Sequence, residues 1–277
     1  VQARETIELG DFARTRDLSP LAAAIRRMCA AANGAPVLGV CIGFPANLDP
    51  DAAAIVSYAA MDIQQPTSFA QVFPAFWREV ELPVYLENDA NLACEGEAFL
   101  RRGAGGAANM LYLSIGSGCG GAVRLDGKLR RGARCRAGEV GAMLLQPALG
   151  APGRSAARET LEDAVCLAAL ERRFGAALRD GAQPGEASAQ AMRDYLCGPL
   201  SGAVYSLVMT LDVELCVLAG IVPGALGMQL CTQVSEALRA ALPESTPVRV
   251  EPSVSADAGV IGAAATVFER SLDALLG

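Results

Sequence analysis

Leu86-Glu87-Asn88-Asp89-Ala90-Asn91 and Gly116-Ser117-Gly118-Cys119-Gly120-Gly121 are the two stretches on which the fold turns. The first follows a short apolar run from Pro83 and precedes a helical pattern over Asn91–Leu100. It therefore places a carboxylate and an amide where a strand gives way to a helix. The second lies between strand-like runs at Asn109–Ile115 and Gly121–Leu125 and is predicted to be a glycine-rich turn. Asp126-Gly127 then supplies a type I′ hairpin signal. A carboxylate next to a turn bare enough to admit a phosphate points to phosphoryl transfer onto a hydroxyl.

Working outward, strands and helices alternate. Val1–Leu9 alternates enough to predict a strand, and Leu18–Ala32 predicts a helix behind Ser19-Pro20. Pro36–Phe44 is a continuous apolar run, as in a buried strand, and Ser68–Val80 has helical spacing. Beyond the hairpin, Ala148–Arg158 is rich in Gly, Pro, Ala and Ser and predicts a loop, and helices dominate Glu159–Thr210. Leu215–Leu218 predicts a buried strand, 220–224 a turn, 226–241 a helix, Val248–Val250 a last strand and Ala258–Leu276 a closing helix. Two sets of strands interleaved with helices imply an α/β architecture of two lobes. The expected boundaries are a small N-terminal lobe over 1–90 and a large lobe over 91–257, with the helix at 258–277 packing back on the first.

Composition sets the outer limits. With 277 residues, 52% hydrophobic and 19% charged, the chain can bury a substantial core. Apolar runs such as Ala203–Leu211 are too short to span a bilayer, and the start carries no signal pattern. A cytoplasmic protein with no membrane partner is expected. The net charge of −7 weighs against a broad nucleic-acid-binding face. Nine cysteines include no Cys-x-x-Cys pair, and most lie in apolar stretches such as Val40-Cys41-Ile42, as buried small hydrophobes do. Histidine is absent, which removes the imidazole as base or ligand, and no cysteine cluster replaces it, so zinc is not expected.

Each candidate residue carries two assignments at this level. Asp89 suits a base that accepts a hydroxyl proton and Asn88 suits a sugar hydroxyl, but Asn-Asp ahead of a helix is also an ordinary cap. The glycines at 116–121 either let backbone N–H groups approach an anion or merely permit a corner. Glu139, isolated in Ala137-Gly138-Glu139-Val140-Gly141, either accepts from sugar hydroxyls or caps a turn. Glu162 opens a helix, where the dipole favours an acid in any case.

In order along the chain, Phe44-Pro45-Ala46, Glu87–Asn91, Gly116–Gly121, Asp126-Gly127, Ala137–Gly141 and Leu161-Glu162 resemble the ROK family of bacterial sugar kinases and sugar-responsive repressors. The resemblance runs from about Pro36 to Ala265, with Phe44–Ala46 and Ser253–Ala264 closer to the allose-kinase branch. It implies a two-lobed actin-like ATPase (ribonuclease H-like) fold and ATP- and Mg2+-dependent phosphorylation of a hexose. It makes Asp89 the catalytic base and Asn88, Glu139 and Glu162 ligands of the small-molecule sugar. Gly116, Ser117 and Gly118 would form a phosphate loop, with Ser117 where Thr is usual, and Gly220 would lie in the adenosine-side turn. A homodimer is expected. Four departures accompany the match. The opening strand and Asp-x-Gly-Gly-Thr loop would precede Val1, leaving the N-terminal lobe without its first strands. Ala142 stands in place of a histidine, Ala148–Arg158 in place of a zinc loop, and Ala219-Gly220 in place of Gly-Gly. The alternatives to a kinase are the effector domain of a repressor, with DNA contacted by a module before Val1, and a degenerate sugar-binding protein.

Overall fold

The computed structural model describes residues 3–32, 34–102, 108–145, 159–175, 178 and 184–276, and side chains as far as 273. The first half holds helices α1 (Phe12–Thr15) and α2 (Ser19–Ala30), then strands β1 (Val40–Phe44), β2 (Asn47–Asp49), β3 (Ala54–Ser57) and β4 (Thr67–Ser68). Short helices α3 (Phe69–Val72) and α4 (Pro74–Glu79), strand β5 (Val84–Asn88) and helix α5 (Asp89–Leu100) follow. Strands β1 and β5 pair in parallel, Gly43 opposite Glu87 and Phe44 opposite Asn88. Strands β2, β3 and β4 form a separate antiparallel sheet. Phe44, Phe69, Phe73 and Phe76 are buried together, with Phe44 edge-on to Phe69 and Phe73 at ring separations of 5.7 and 5.9 Å.

The second half begins with β6 (Met110–Ile115), β7 (Cys119–Leu125) and β8 (Lys128–Arg130). Helices α6 (Leu161–Val165), α7 (Leu167–Phe174) and α8 (Glu186–Leu211) come next, then β9 (Leu215–Ala219), α9 (Ile221–Leu226), α10 (Met228–Ala241), β10 (Arg249–Pro252) and α11 (Ala258–Leu276). The five strands order as β10-β9-β6-β7-β8, with β10, β9 and β6 parallel and the last two antiparallel. Strand periodicity sorts the side chains of β6. Leu111, Leu113 and Ile115 enter the main core with Leu196, Leu200 and Leu230, whereas Met110 and Tyr112 face Ala90 and Cys94 of α5.

Helix α5 is gripped from the other side by α11. Gly96 lies against the backbone of Ala258 and Gly262 against that of Leu92, so closely that a Cβ at either glycine would overlap the opposing carbonyl. Nearby, the fully buried Glu97 accepts from Arg101 Nε at 2.9 Å, from Val254 N at 2.9 Å and from the Ser253 hydroxyl, and Arg101 also pairs with Glu251. The buried charges are thus paired and hydrogen-bonded on both sides, as burial demands.

Most predicted elements are present, and three differ. Residues 3–9 form no strand: Arg4, Glu5 and Glu8 leave little to bury, and the segment is instead held by Arg4–Asp257 and Glu5–Arg27 ion pairs. The helix predicted over Ser68–Val80 is split, because Pro74 cannot continue α3 and starts α4 instead. The turn predicted at 220–224 is the cap and first turn of α9. Gly220 takes φ +93° as its N-cap, and Pro223 falls in the first turn, where no N–H partner is required. The loop predicted at Ala148–Arg158 lies outside the described residues. No helix among the described residues is long and apolar enough to cross a membrane.

Candidate functional site

Strand β5 ends at Asn88 because that side chain turns back as the N-cap of α5, accepting from Ala90 N at 3.0 Å and Asn91 N at 3.2 Å. Its amide nitrogen donates to the Ala46 carbonyl at 3.3 Å. Asp89 is the first helical residue and is exposed; Oδ1 accepts from Ala90 N at 2.9 Å. The cap and the exposed carboxylate are therefore two adjacent residues, each in its own role.

The glycine-rich turn joins β6 to β7, which pair from Ile115–Cys119 outward. It is stitched down by Gly116 N to the Gly118 carbonyl at 2.9 Å and by Leu167 N to the Gly116 carbonyl at 2.8 Å. Gly116 has no positive φ, and nothing stands within 4 Å of where its Cβ would be. Packing and conformation therefore leave the position open to any residue, whereas close approach of a ligand to the backbone requires glycine. Gly120 brings the hairpin beside α5, within 3.7 Å of Ala90 Cβ for a side chain built there.

Glu139 owes its place to its flanking glycines. Gly138, at φ +97°, presses on the backbone of Gly121, and Gly141 presses on the Cys119 carbonyl. The segment 138–141 is thereby laid flat against β7. Satisfying the local hydrogen bonds places the Asn47 amide nitrogen 2.7 Å from Glu139 Oε1 and 3.2 Å from the Cys135 carbonyl, while its oxygen accepts from Ser57 Oγ at 3.0 Å. Desolvation raises the Glu139 carboxyl above its ordinary value. Arg136 opposes that shift, and the Glu162 and Asp89 charges add to it. Glu162, two residues into α6 behind the Thr160 cap, accepts from Cys119 N at 2.7 Å. One oxygen of this predicted sugar ligand is thus taken by the glycine turn, which it anchors to the helix.

These residues meet in one cavity of about 1220 Å³, lined by Asn88, Asp89, Gly116–Gly118, Glu139 and Glu162. Gly220 is not on its wall. It supports the site from behind, pressed against the backbone of Ile115 where β6 runs into the turn, so that a side chain there would clash. The far wall comes from β3 and the chain after it, with Ser57, Tyr58, Asp62 and Gln64, and from Asn47 and Arg136. Desolvation and, secondarily, the Asp89 charge raise the Tyr58 hydroxyl above its usual range. None of the motifs along the chain falls on this wall. A usable signal was present: Asp49-Pro50-Asp51 between two short apolar runs is a turn, and Asp49 Oδ1 accepts from Asp51 N and Ala52 N, each at 3.1 Å.

Comparison with known proteins places the chain and its fold. A glucokinase of Halalkalibacterium halodurans is 34% identical over 141 residues, 48% of this chain and 40% of that protein. The chain spans less than half the length of the curated relatives it matches. A ROK hexokinase from Thermus thermophilus superimposes with a TM-score of 0.69 at 28% identity, over 94% of this chain and 88% of that one. A ROK family transcriptional regulator, a homologue of the E. coli Mlc protein, shares the fold with a TM-score of 0.71 at 17% identity, over 94% of this chain and 69% of that one. The model of the ROK family matches residues 12–270, and the chain belongs to that family.

Proposed function

We propose that the cavity binds a hexose and that the chain transfers the γ-phosphoryl group of ATP to one of its hydroxyls. The observation that carries this is the placement of Asp89, a carboxylate at the head of α5 that opens into the same cavity as the Gly116–Gly118 turn. Asp89 would accept the hydroxyl proton as the oxygen attacks phosphorus. Asn88, Glu139 and Glu162 would hold the other hydroxyls, and backbone N–H groups of the turn would face the phosphates. Gly220 would keep the turn at the right height on the nucleotide side. Magnesium would arrive on the nucleotide phosphates. Among the described residues no three His, Cys, Asp or Glu side chains gather to hold an ion of their own.

ATP consumption across a panel of hexoses tests the proposal. Asp89→Asn should retain the fold and lower turnover by at least ~100-fold, the usual contribution of a positioned base. Equal turnover by the two proteins would remove Asp89 from the chemistry.

One observation favours a second function, sugar binding without transfer. Among the described lining residues Arg136 is the only cation, against the carboxylates of Asp62, Asp89, Glu139 and Glu162. A triphosphate entering that field needs its charge neutralised elsewhere. Under this second function, calorimetry would detect sugar binding while every hexose failed to elicit ATP consumption.

A further inference from the structure

The two sets of sugar-facing residues come from different parts of the fold. Asn88 and Asp89 sit at the end of β5, and Glu139 sits on the segment that follows β8. Between them runs a side-chain link that the chemistry above does not use. Glu87, only 3% exposed at the end of β5, has both carboxylate oxygens engaged. Oε1 accepts from Asn88 N at 2.9 Å and from the Asn91 side-chain amide at 2.8 Å. Oε2 accepts from Arg131, at 2.7 Å from Nε and 2.5 Å from Nη2. The Arg131 carbonyl in turn accepts from Ala137 N at 3.0 Å, closing the loop that delivers Glu139.

Apart from the glycine contacts of 138–141 with β7, the loop is held by Asn47 to the Cys135 carbonyl at 3.2 Å, Arg136 to Ser57 Oγ at 3.2 Å and Cys135 N to the Gly132 carbonyl at 3.4 Å, none of them charge-paired. Gly132, Cys135 and Gly138 all take positive φ, and Arg131, Arg134 and Arg136 leave few apolar side chains to bury. Because Glu87 is buried, a loop conformation that withdraws Arg131 leaves an uncompensated buried carboxylate, so the pair selects the conformation in which both partners meet. Other charges face the same place: Asp51 of the β2–β3 turn pairs with Arg270 of α11 at 2.7 Å, and Asp49 adjoins it. Arg270 also lies within electrostatic reach of Glu87 and Asp51 within reach of Arg131, but neither makes a hydrogen bond to the pair among the described contacts.

We propose that Glu87 and Arg131 are positioning residues. Their ion pair latches the Glu139 loop to the strand that presents Asn88 and Asp89, holding the two groups of sugar ligands in one geometry. The proposal rests on the cavity being a sugar site, and the experiment separates the two.

Arg131→Met and Glu87→Gln, the latter keeping an acceptor for Asn88 N, are compared with the natural chain. Sugar affinity is measured by calorimetry over a hexose panel, and amide exchange over 131–141 is measured in the ligand-free proteins. Both variants should remain folded, exchange faster in that segment and bind the best hexose at least about tenfold more weakly, the kind of loss that sub-ångström misplacement of interacting groups produces. The double variant should be no worse than the weaker single one. Arg131→Lys should recover part of the affinity. Native protection at 131–141 and native affinity in a folded Arg131→Met protein would overturn the latch. If the natural chain binds no hexose, the sugar assignment fails, and the exchange measurement still decides whether the ion pair holds the loop.

Discussion

Glu139 illustrates how a single side chain is held at a cost to the protein that carries it. Its carboxyl is raised above the ordinary range chiefly by desolvation. Between the ordinary and the raised value the folded chain holds the proton more tightly than the unfolded chain, so stability falls as pH rises through that window. At neutral pH the ionised side chain is therefore a net cost, and Glu139→Gln should melt at a higher temperature than the natural chain. The difference should shrink as pH is lowered and vanish below the ordinary carboxylate range. A difference that grows on acidification would refute the desolvation account. The same variant should bind sugar more weakly, since a neutral amide is a poorer acceptor for hydroxyls. Glu139 stands out in the sequence as an isolated acid between glycines, whereas Asn88, Asp89 and Glu162 also suit ordinary cap and first-turn positions and are singled out only by their order along the chain, which resembles the ROK family. The sequence did not reveal Asn47 or Arg136, whose roles depend on partners distant in the chain: Arg136 donates to Ser57 Oγ at 3.2 Å from across the cavity.

At the scale of elements, the decisive contact is between α5 and α11. Gly96→Ala or Gly262→Ala would drive a methyl group into a carbonyl of the opposing helix, and either should cost about 3 kcal/mol or more, at the upper end for overpacking. Gly259→Ala, on the same helix α11 but with nothing within 4 Å, should instead stabilise by about 0.5–1 kcal/mol from helix propensity. Urea denaturation of the three variants checks this, and equal effects at 96 and 259 would rule out the backbone contact. Elements whose signal is local were legible in the sequence. The hairpin at Asp126-Gly127, where both residues take positive φ, and the continuous apolar strand at β9 are of this kind. The small sheet β2–β4 was not legible, because its strands of two to four residues are too short to establish a period. The pattern at Val1–Leu9 misled because alternation predicts a strand only where a partner edge and a core accept it.

For the molecule as a whole, the nine thiols report on integrity. All are free; Cys94, Cys119, Cys166, Cys216 and Cys231 are buried and the other four are intermediate. Burial pushes Cys119 up to about 12 and Cys231 up to about 11, so little thiolate exists there at pH 8. A thiol reagent in native buffer should leave those five unmodified and should titrate all nine in denaturant. Modification of the buried five at the rate of the four partly exposed thiols would contradict the packing of α5 and α10 on the five-stranded sheet. The fold class was legible because strand and helix signals alternate along the entire chain. That the two sets of strands enclose one acid-rich cavity was not, since the cavity exists only between segments far apart in sequence.

The glycine seam between α5 and α11 also bears on the order of events during synthesis. The helix that presents Asp89 is made well before the surface against which it closes: Glu97 and its partner Ser253 are 156 residues apart in the chain, and α11 follows still later. Until that segment emerges, α5 has an unfilled groove and Glu97 lacks Ser253 and Val254. Contacts of such wide sequence separation form late and slowly. The nascent chain therefore carries the residues of its cavity long before it can hold α5 in place, and assembly of the site waits for α11 to be synthesised.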